Sequence, residues 1–244
     1  MSRELATINE ASPVEAAIEC EIESRKLRWF ELILVLLVAL GQFFLASFYI
    51  LTQDQDFRSY SQNIRWTGSL FHEVTSLLLL GYVLSRRKVR LRDLGLRWSF
   101  REFRAGLAVA IAAYMAYAIG YFIVHAIHHS LAPTAPNGPT AHDIFGHPSI
   151  FAVPYFLLNP FFEEMIVRAY LMSEIKALTG SWTLATTLSV LVQSSYHLYY
   201  GWVGALSLSF QFLVFSLYYA RTRKATPLVI AHGIFDVYGF VRLL

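Results

Sequence analysis

Long apolar runs separated by short polar or basic stretches dominate the chain, and this pattern predicts a bundle of membrane-crossing helices. The runs fall at about residues 30–52, 66–84, 105–127, 150–172, 182–200, 202–220 and 227–244. Each approaches the roughly 20 residues a helix needs to cross a bilayer. The expected fold class is therefore all-α, a polytopic transmembrane helical bundle of about seven spans. Two runs are impure: the second holds His72 and Glu73, and the fourth is interrupted by Pro154 and Pro160. Residues 128–148 lack periodicity and carry Pro133, Pro136, Gly138 and Pro139, which marks a loop. Residues 1–28 are expected to form a polar tail, partly helical or disordered, and residues 29–149 the first spans with their connections.

Composition strengthens this reading. Hydrophobic residues make up 56% of the 244 and charged residues 15%, against about 25% charged in a soluble domain. Mean hydropathy is +0.46, and a water-soluble globule of this size could not be covered with so little polar surface. Membrane lipid is the implied surrounding. The basic residues cluster beside apolar runs rather than on a polar domain, which argues against a nucleic-acid partner. The lone Cys20 excludes an internal disulfide and a cysteine-based zinc site. No cleavable signal peptide is visible in the polar, glutamate-rich start.

The placement of Lys and Arg predicts orientation. With the N-terminus in the cytoplasm, Arg25, Lys26, Arg28, the stretch SRRKVRLRDLGLRWSFREFR, Lys176 and the Arg221–Lys224 turn all fall inside. Only Arg58, Arg65 and Arg242 fall outside. The expected location is a multi-pass position in the cell membrane. Trp66, Trp182 and Trp202 fall at run ends, where an interfacial aromatic belt is expected.

Ionisable residues inside the runs are the candidate chemistry, because a charge at a span's centre costs at least about 2.5–3.5 kcal/mol. In FFEEMIVRAYL, Glu164 and Arg168 are four apart and are expected to pair on one helix face. Glu163 points elsewhere and has no cation at helical spacing, which suits a general base or acid. In VIAHGIFDVYG, His232 and Asp236 share a face. That spacing suits an imidazole oriented by a carboxylate, two metal ligands, or two polar groups aimed at one oxygen. His197, in VQSSYHLYY, reads by itself as an interfacial histidine. His128, His129, His142 and His147 read as solvated loop residues, and His72 and Glu73 are left outside the site. Glu, His, His and Asp converging in a membrane cavity could activate water, with or without a metal.

The order of these motifs resembles the CPBP family of intramembrane proteases, which includes the type II CAAX prenyl endopeptidases and the Abi proteins. The family pattern is EExxxR, then FxxxH, then HxxxN or HxxxD. Here it reads Glu163-Glu164-xxx-Arg168, His197 and His232-xxx-Asp236. The resemblance covers about residues 150–244, which makes that segment the expected catalytic core, and LRDLGLRW upstream is similar to a stretch often found before it.

The resemblance implies an intramembrane endopeptidase, with or without a metal, hydrolysing a peptide bond of a membrane-associated peptide or protein, prenylated substrates included. Glu163 would activate water, His197 position it, His232 and residue 236 stabilise the oxyanion, and Glu164 with Arg168 hold the first motif. A divalent metal such as zinc would need Glu163, His197 and His232 to converge; a metal-free mechanism is equally allowed. Ala169, Gln193 and Asp236 depart from the family's usual Gly, Phe and Asn. An ionised aspartate cannot donate to an oxyanion. It could serve if protonated, by orienting His232, or as a metal ligand. Two other classes share these features: a proton-coupled transporter using the same groups as a relay, and a non-catalytic scaffold or immunity protein of the same fold. A Glu163→Ala protein separates them, by loss of cleavage or of proton flux.

Overall fold

The computed structural model describes residues 13–51, 62–131, 146 and 148–244, and every regular element among them is helical. Three long helices come first: α1 (Pro13–Leu51), α2 (Gln62–Arg86) and α3 (Phe100–Leu131). Next, α4 (Ala152–Glu163) passes directly into a π-helical segment (Glu164–Tyr170) and then α5 (Leu171–Thr179). Helix α6 (Trp182–Tyr196) leads through a 3-10 turn (Leu198–Tyr200) to α7 (Gly201–Thr222), and α8 (Thr226–Leu243) closes the chain.

Among the described residues, four stretches are long and apolar enough to cross a membrane: Glu21–Phe48, Asn63–Arg86, Phe100–Leu131 and Leu198–Thr222. The burial pattern agrees with a lipid environment. Leu37, Phe48, Leu78, Ile111, Phe122 and Leu157 project outward, while Glu163, Glu164 and Arg168 are buried. A water-soluble fold would reverse that distribution.

Several boundaries differ from those read in the sequence. Helix α1 starts at Pro13, so half of the polar tail is helical. Helix α3 runs to Leu131 and takes His128 and His129 into its last turn instead of a loop. His142 and His147 lie outside the described residues. Trp66 faces inward, buried with its ring 5.3 Å from Tyr155 and 5.5 Å from Phe156. Trp202, at 45% exposed, keeps an outward position.

Helix ends follow local sequence. In TGSW, Gly180 adopts φ +75 and returns its N–H to Lys176 O, while Ser181 Oγ accepts from Leu184 N to start α6. The basic stretches converge at one end of the bundle. Glu31 binds Arg86 and Arg87, Glu174 binds Arg28 and Arg87, and Lys224 binds Glu102.

The LRDLGLRW loop is fastened to the turn between α7 and α8. Gly95 O accepts from Ala225 N at 3.0 Å, and Arg97 N donates to Thr226 Oγ1 at 2.8 Å. Gly95 has φ +88, and a Cβ there would overlap the carbonyl oxygen of Arg223. Only glycine meets both demands. From this anchor, α3 packs along α7 and α8, with Gly120 directly under the Phe210 ring.

Candidate active site

The helix that carries the two glutamates changes its winding at them. Pro160, which has no N–H to donate, lies inside α4 one turn before the junction. Glu163 is the last α-helical residue and Glu164 the first of seven π-helical ones. Wide turns of this kind leave carbonyls poorly partnered and recur at functional sites. Polar side chains from neighbouring helices meet that need here. Ser189 Oγ donates to Val167 O at 3.0 Å, with Ser216 Oγ donating to Ser189. Tyr219 Oη donates to Ala169 O and also bonds Leu94 O and Ser173. The serines and tyrosine in otherwise apolar helices thus serve the π segment.

The two glutamates diverge. Glu163 turns toward α6, where Gln193 Nε2 donates to its Oε2 at 2.7 Å and Tyr196 Oη to the same oxygen at 2.8 Å. Both bonds land on Oε2 and leave Oε1 outside the pair. Tyr196 is itself fixed by Ser47 Oγ on its carbonyl and by the Phe43 ring of α1. Gln193 also carries the link to His197: its backbone carbonyl accepts from His197 Nδ1 at 2.9 Å. That bond puts the proton on Nδ1 and the lone pair on Nε2 of a neutral ring. The ring lies among Tyr196, Tyr199 and Phe212.

Glu164 turns toward α8. His232 Nδ1 donates to its Oε1 at 2.8 Å, and Arg168 Nε lies 3.6 Å from its Oε2. The Arg168 guanidinium is fully buried between Phe212 and Phe215, 5.6 and 5.7 Å from their centroids. His232 Nε2 faces Asp236 Oδ1 at 3.5 Å, too long for a hydrogen bond. The other Asp236 oxygen accepts from Asn159 Nδ2 at 2.8 Å.

All six expected site residues, Glu163, Glu164, Arg168, His197, His232 and Asp236, therefore lie around one junction. They form two linked groups rather than one cage. Among the described residues, no group of three or more His, Cys, Asp or Glu is arranged to hold a metal ion. Tyr196 and Asn159 are site residues that the sequence reading did not name, and Gln193 entered it only as a departure from the family pattern. A signal existed for Gln193 and Asn159, each a buried amide in an apolar helix. Tyr196, in a chain with 14 tyrosines, gave none.

Fold and site together define an all-helical membrane protein with a buried acid–histidine–arginine centre. Residues 145–238 match the family model described as type II CAAX prenyl endopeptidase, Rce1-like. The resemblance read from the three motifs holds for that part of the chain. No curated protein and no solved structure gives a significant match.

Proposed function

We propose that the chain is an intramembrane endopeptidase that hydrolyses a peptide bond of a membrane-associated substrate of the prenylated-peptide class. The observation that carries this reading is the Glu163 carboxylate, buried and held at Oε2 by Gln193 and Tyr196 with Oε1 uncommitted. A base fixed by two donors on one oxygen has the other oxygen aimed and ready to take a proton.

The reaction then runs as follows. Glu163 Oε1 takes a proton from water as the water oxygen attacks the carbonyl carbon. His197 Nε2 accepts the second hydrogen of that water and sets its direction. His232, anchored by Glu164 at Nδ1, donates from a protonated Nε2 to the developing oxyanion. Glu163 passes its proton to the amide nitrogen as the C–N bond breaks, releasing a carboxylic acid and an amine. Asp236, an acceptor when ionised, holds Asn159 and faces His232 without a hydrogen bond. Because the described side chains offer no metal cage, no step is routed through an ion. The same reading places the protein in the cell membrane with its N-terminus cytoplasmic, supported by the basic residues gathered at one end of the bundle.

The test is cleavage of membrane-anchored and prenylated peptides by purified protein in liposomes, comparing wild type with Glu163→Ala. Cleavage lost in the variant supports the protease. A folded wild-type protein that cleaves none of the panel points to the scaffold reading, and proton flux lost in Glu163→Ala to the transporter.

A further inference from the structure

Between α1, the end of α2 and α5 lies a cavity of about 450 Å³, at the bundle end where the basic stretches gather. Its charged lining is Arg28, Glu31, Arg86, Arg87 and Glu174. The two carboxylates are nearly buried, and each is bound twice. Glu31 holds Arg86 Nη1 at 3.1 Å and also binds Arg87. Glu174 holds Arg28 Nη2 at 3.0 Å and Arg87 Nη1 at 2.6 Å. Arg87 therefore serves both acids from inside. Arg28 and Arg86 stand at the rim, with 36% and 47% of their side chains exposed. Three guanidiniums against two carboxylates leave the cavity one positive charge in excess. Arg28 Nη1 and Arg86 Nε and Nη2 have no carboxylate partner among the described residues.

The cavity lies at the depth where apolar chain gives way to polar. Arg86 is the last residue of the second membrane-length stretch, and the first apolar run starts just after Arg28. That level is the headgroup layer of a bilayer. Along α2, Val74, Leu78 and Tyr82 are exposed at four-residue spacing with Arg86. One lipid-facing stripe thus climbs the helix to the rim. The stripe suits an acyl chain. The rim suits a phosphate, which an arginine fork binds through paired N–H groups. A zwitterionic headgroup brings its own cation and cancels the match to the single excess charge. We infer that this cavity binds the phosphate of an anionic phospholipid headgroup. Basic pockets between membrane helices are suited to such headgroups, and the site does not depend on the reaction proposed above.

Changing Arg28→Gln together with Arg86→Gln empties the rim and leaves Arg87 on both acids. The test titrates phosphatidylglycerol and phosphatidylcholine of matched acyl chains into the whole chain in neutral detergent, and native mass spectrometry counts bound lipid. Wild type is compared with the double variant and with Arg90→Gln, an exposed basic residue at the same end but outside the cavity. Thermal unfolding without added lipid checks the fold, and Arg86→Gln alone replaces a double variant that unfolds. Glycerol phosphate, the soluble form of the headgroup anion, separates a lipid from a free phosphate. Wild type should prefer phosphatidylglycerol by about fivefold or more, and the double variant should bind it about tenfold more weakly. Arg86→Gln alone should weaken it by about threefold, with Arg90→Gln close to wild type. Glycerol phosphate at equal concentration should not displace the lipid. Equal binding of the two lipids, or rim variants that bind like wild type, overturns the inference. A loss in Arg90→Gln as large as in the rim variant overturns it in favour of diffuse surface charge. Displacement by glycerol phosphate overturns the lipid and points to a soluble phosphate instead.

Discussion

His232 Nδ1 lies 2.8 Å from Glu164 Oε1, so the fourth and last helical runs are joined by a hydrogen bond in the bundle interior. On the proposed reading, that contact makes Glu164 the structural member of the glutamate pair and leaves Glu163 for chemistry. The two can be separated by mutation.

Glu163→Gln keeps the shape of the side chain and removes the base. Cleavage should fall by about 10²–10⁴-fold, the usual worth of a general base. The unfolding temperature should stay close to wild type. A rate assay paired with a thermal scan checks both halves.

Arg168→Leu leaves Glu164 buried with one positive neighbour fewer. Breaking a buried ion pair from one side costs about 3–5 kcal/mol. Stability should fall by that order in a reversible unfolding titration in mixed micelles. The double change Glu164→Gln with Arg168→Leu should recover a large part of it.

Tyr219→Phe removes the hydroxyl that bonds Ala169 O, Leu94 O and Ser173. Unsatisfied buried acceptors cost about 1–3 kcal/mol. Destabilisation in that range, with slower cleavage because the π segment shifts, is the expected result. A variant as stable as wild type would contradict the role assigned to this tyrosine.

Cleavage should survive chelation, since no described cluster of three His, Cys, Asp or Glu has the arrangement for a metal. Activity after dialysis against a chelator, with metal content measured on the same sample, decides this. Activity lost to the chelator and restored by zinc would mean that the site rearranges around an ion.

Gly95→Ala forces a side chain into the Arg223 carbonyl at a positive φ. Backbone strain of this kind is worth about 1–3 kcal/mol, and a fully enclosed overlap should lie at its upper end. Yield of folded protein after detergent extraction would report it first.

The helical bundle was legible because lipid leaves a chain few solutions: an apolar run that satisfies its own backbone must be a helix. The motif residues were legible because charge is so rare in such runs that each instance stands out. What could not be read was which helix each side chain meets. Glu163 and Glu164 are neighbours in sequence, yet one binds Gln193 and the other His232, and that split depends on a change of winding with no sequence signature beyond Pro160. That Trp66 would pack inward was not legible, because a tryptophan at a run's end can face lipid or protein; the rings of Tyr155 and Phe156 take it inward. Glu73 was set aside because adjacent His72 and Glu73 must point apart: His72 Nε2 bonds Ala39 O on α1, while Glu73 is buried with no hydrogen-bond partner among the described residues.

The fastening of Gly95 to the first residues of α8 sets how far His232 stands from the end of the bundle. Tyr196, which holds Glu163, is in turn propped by Ser47 and Phe43 of α1. The matched stretch 145–238 therefore does not work as a cassette: transplanted without the preceding helices, it would carry every motif residue and lose the depth gauge that lines them up.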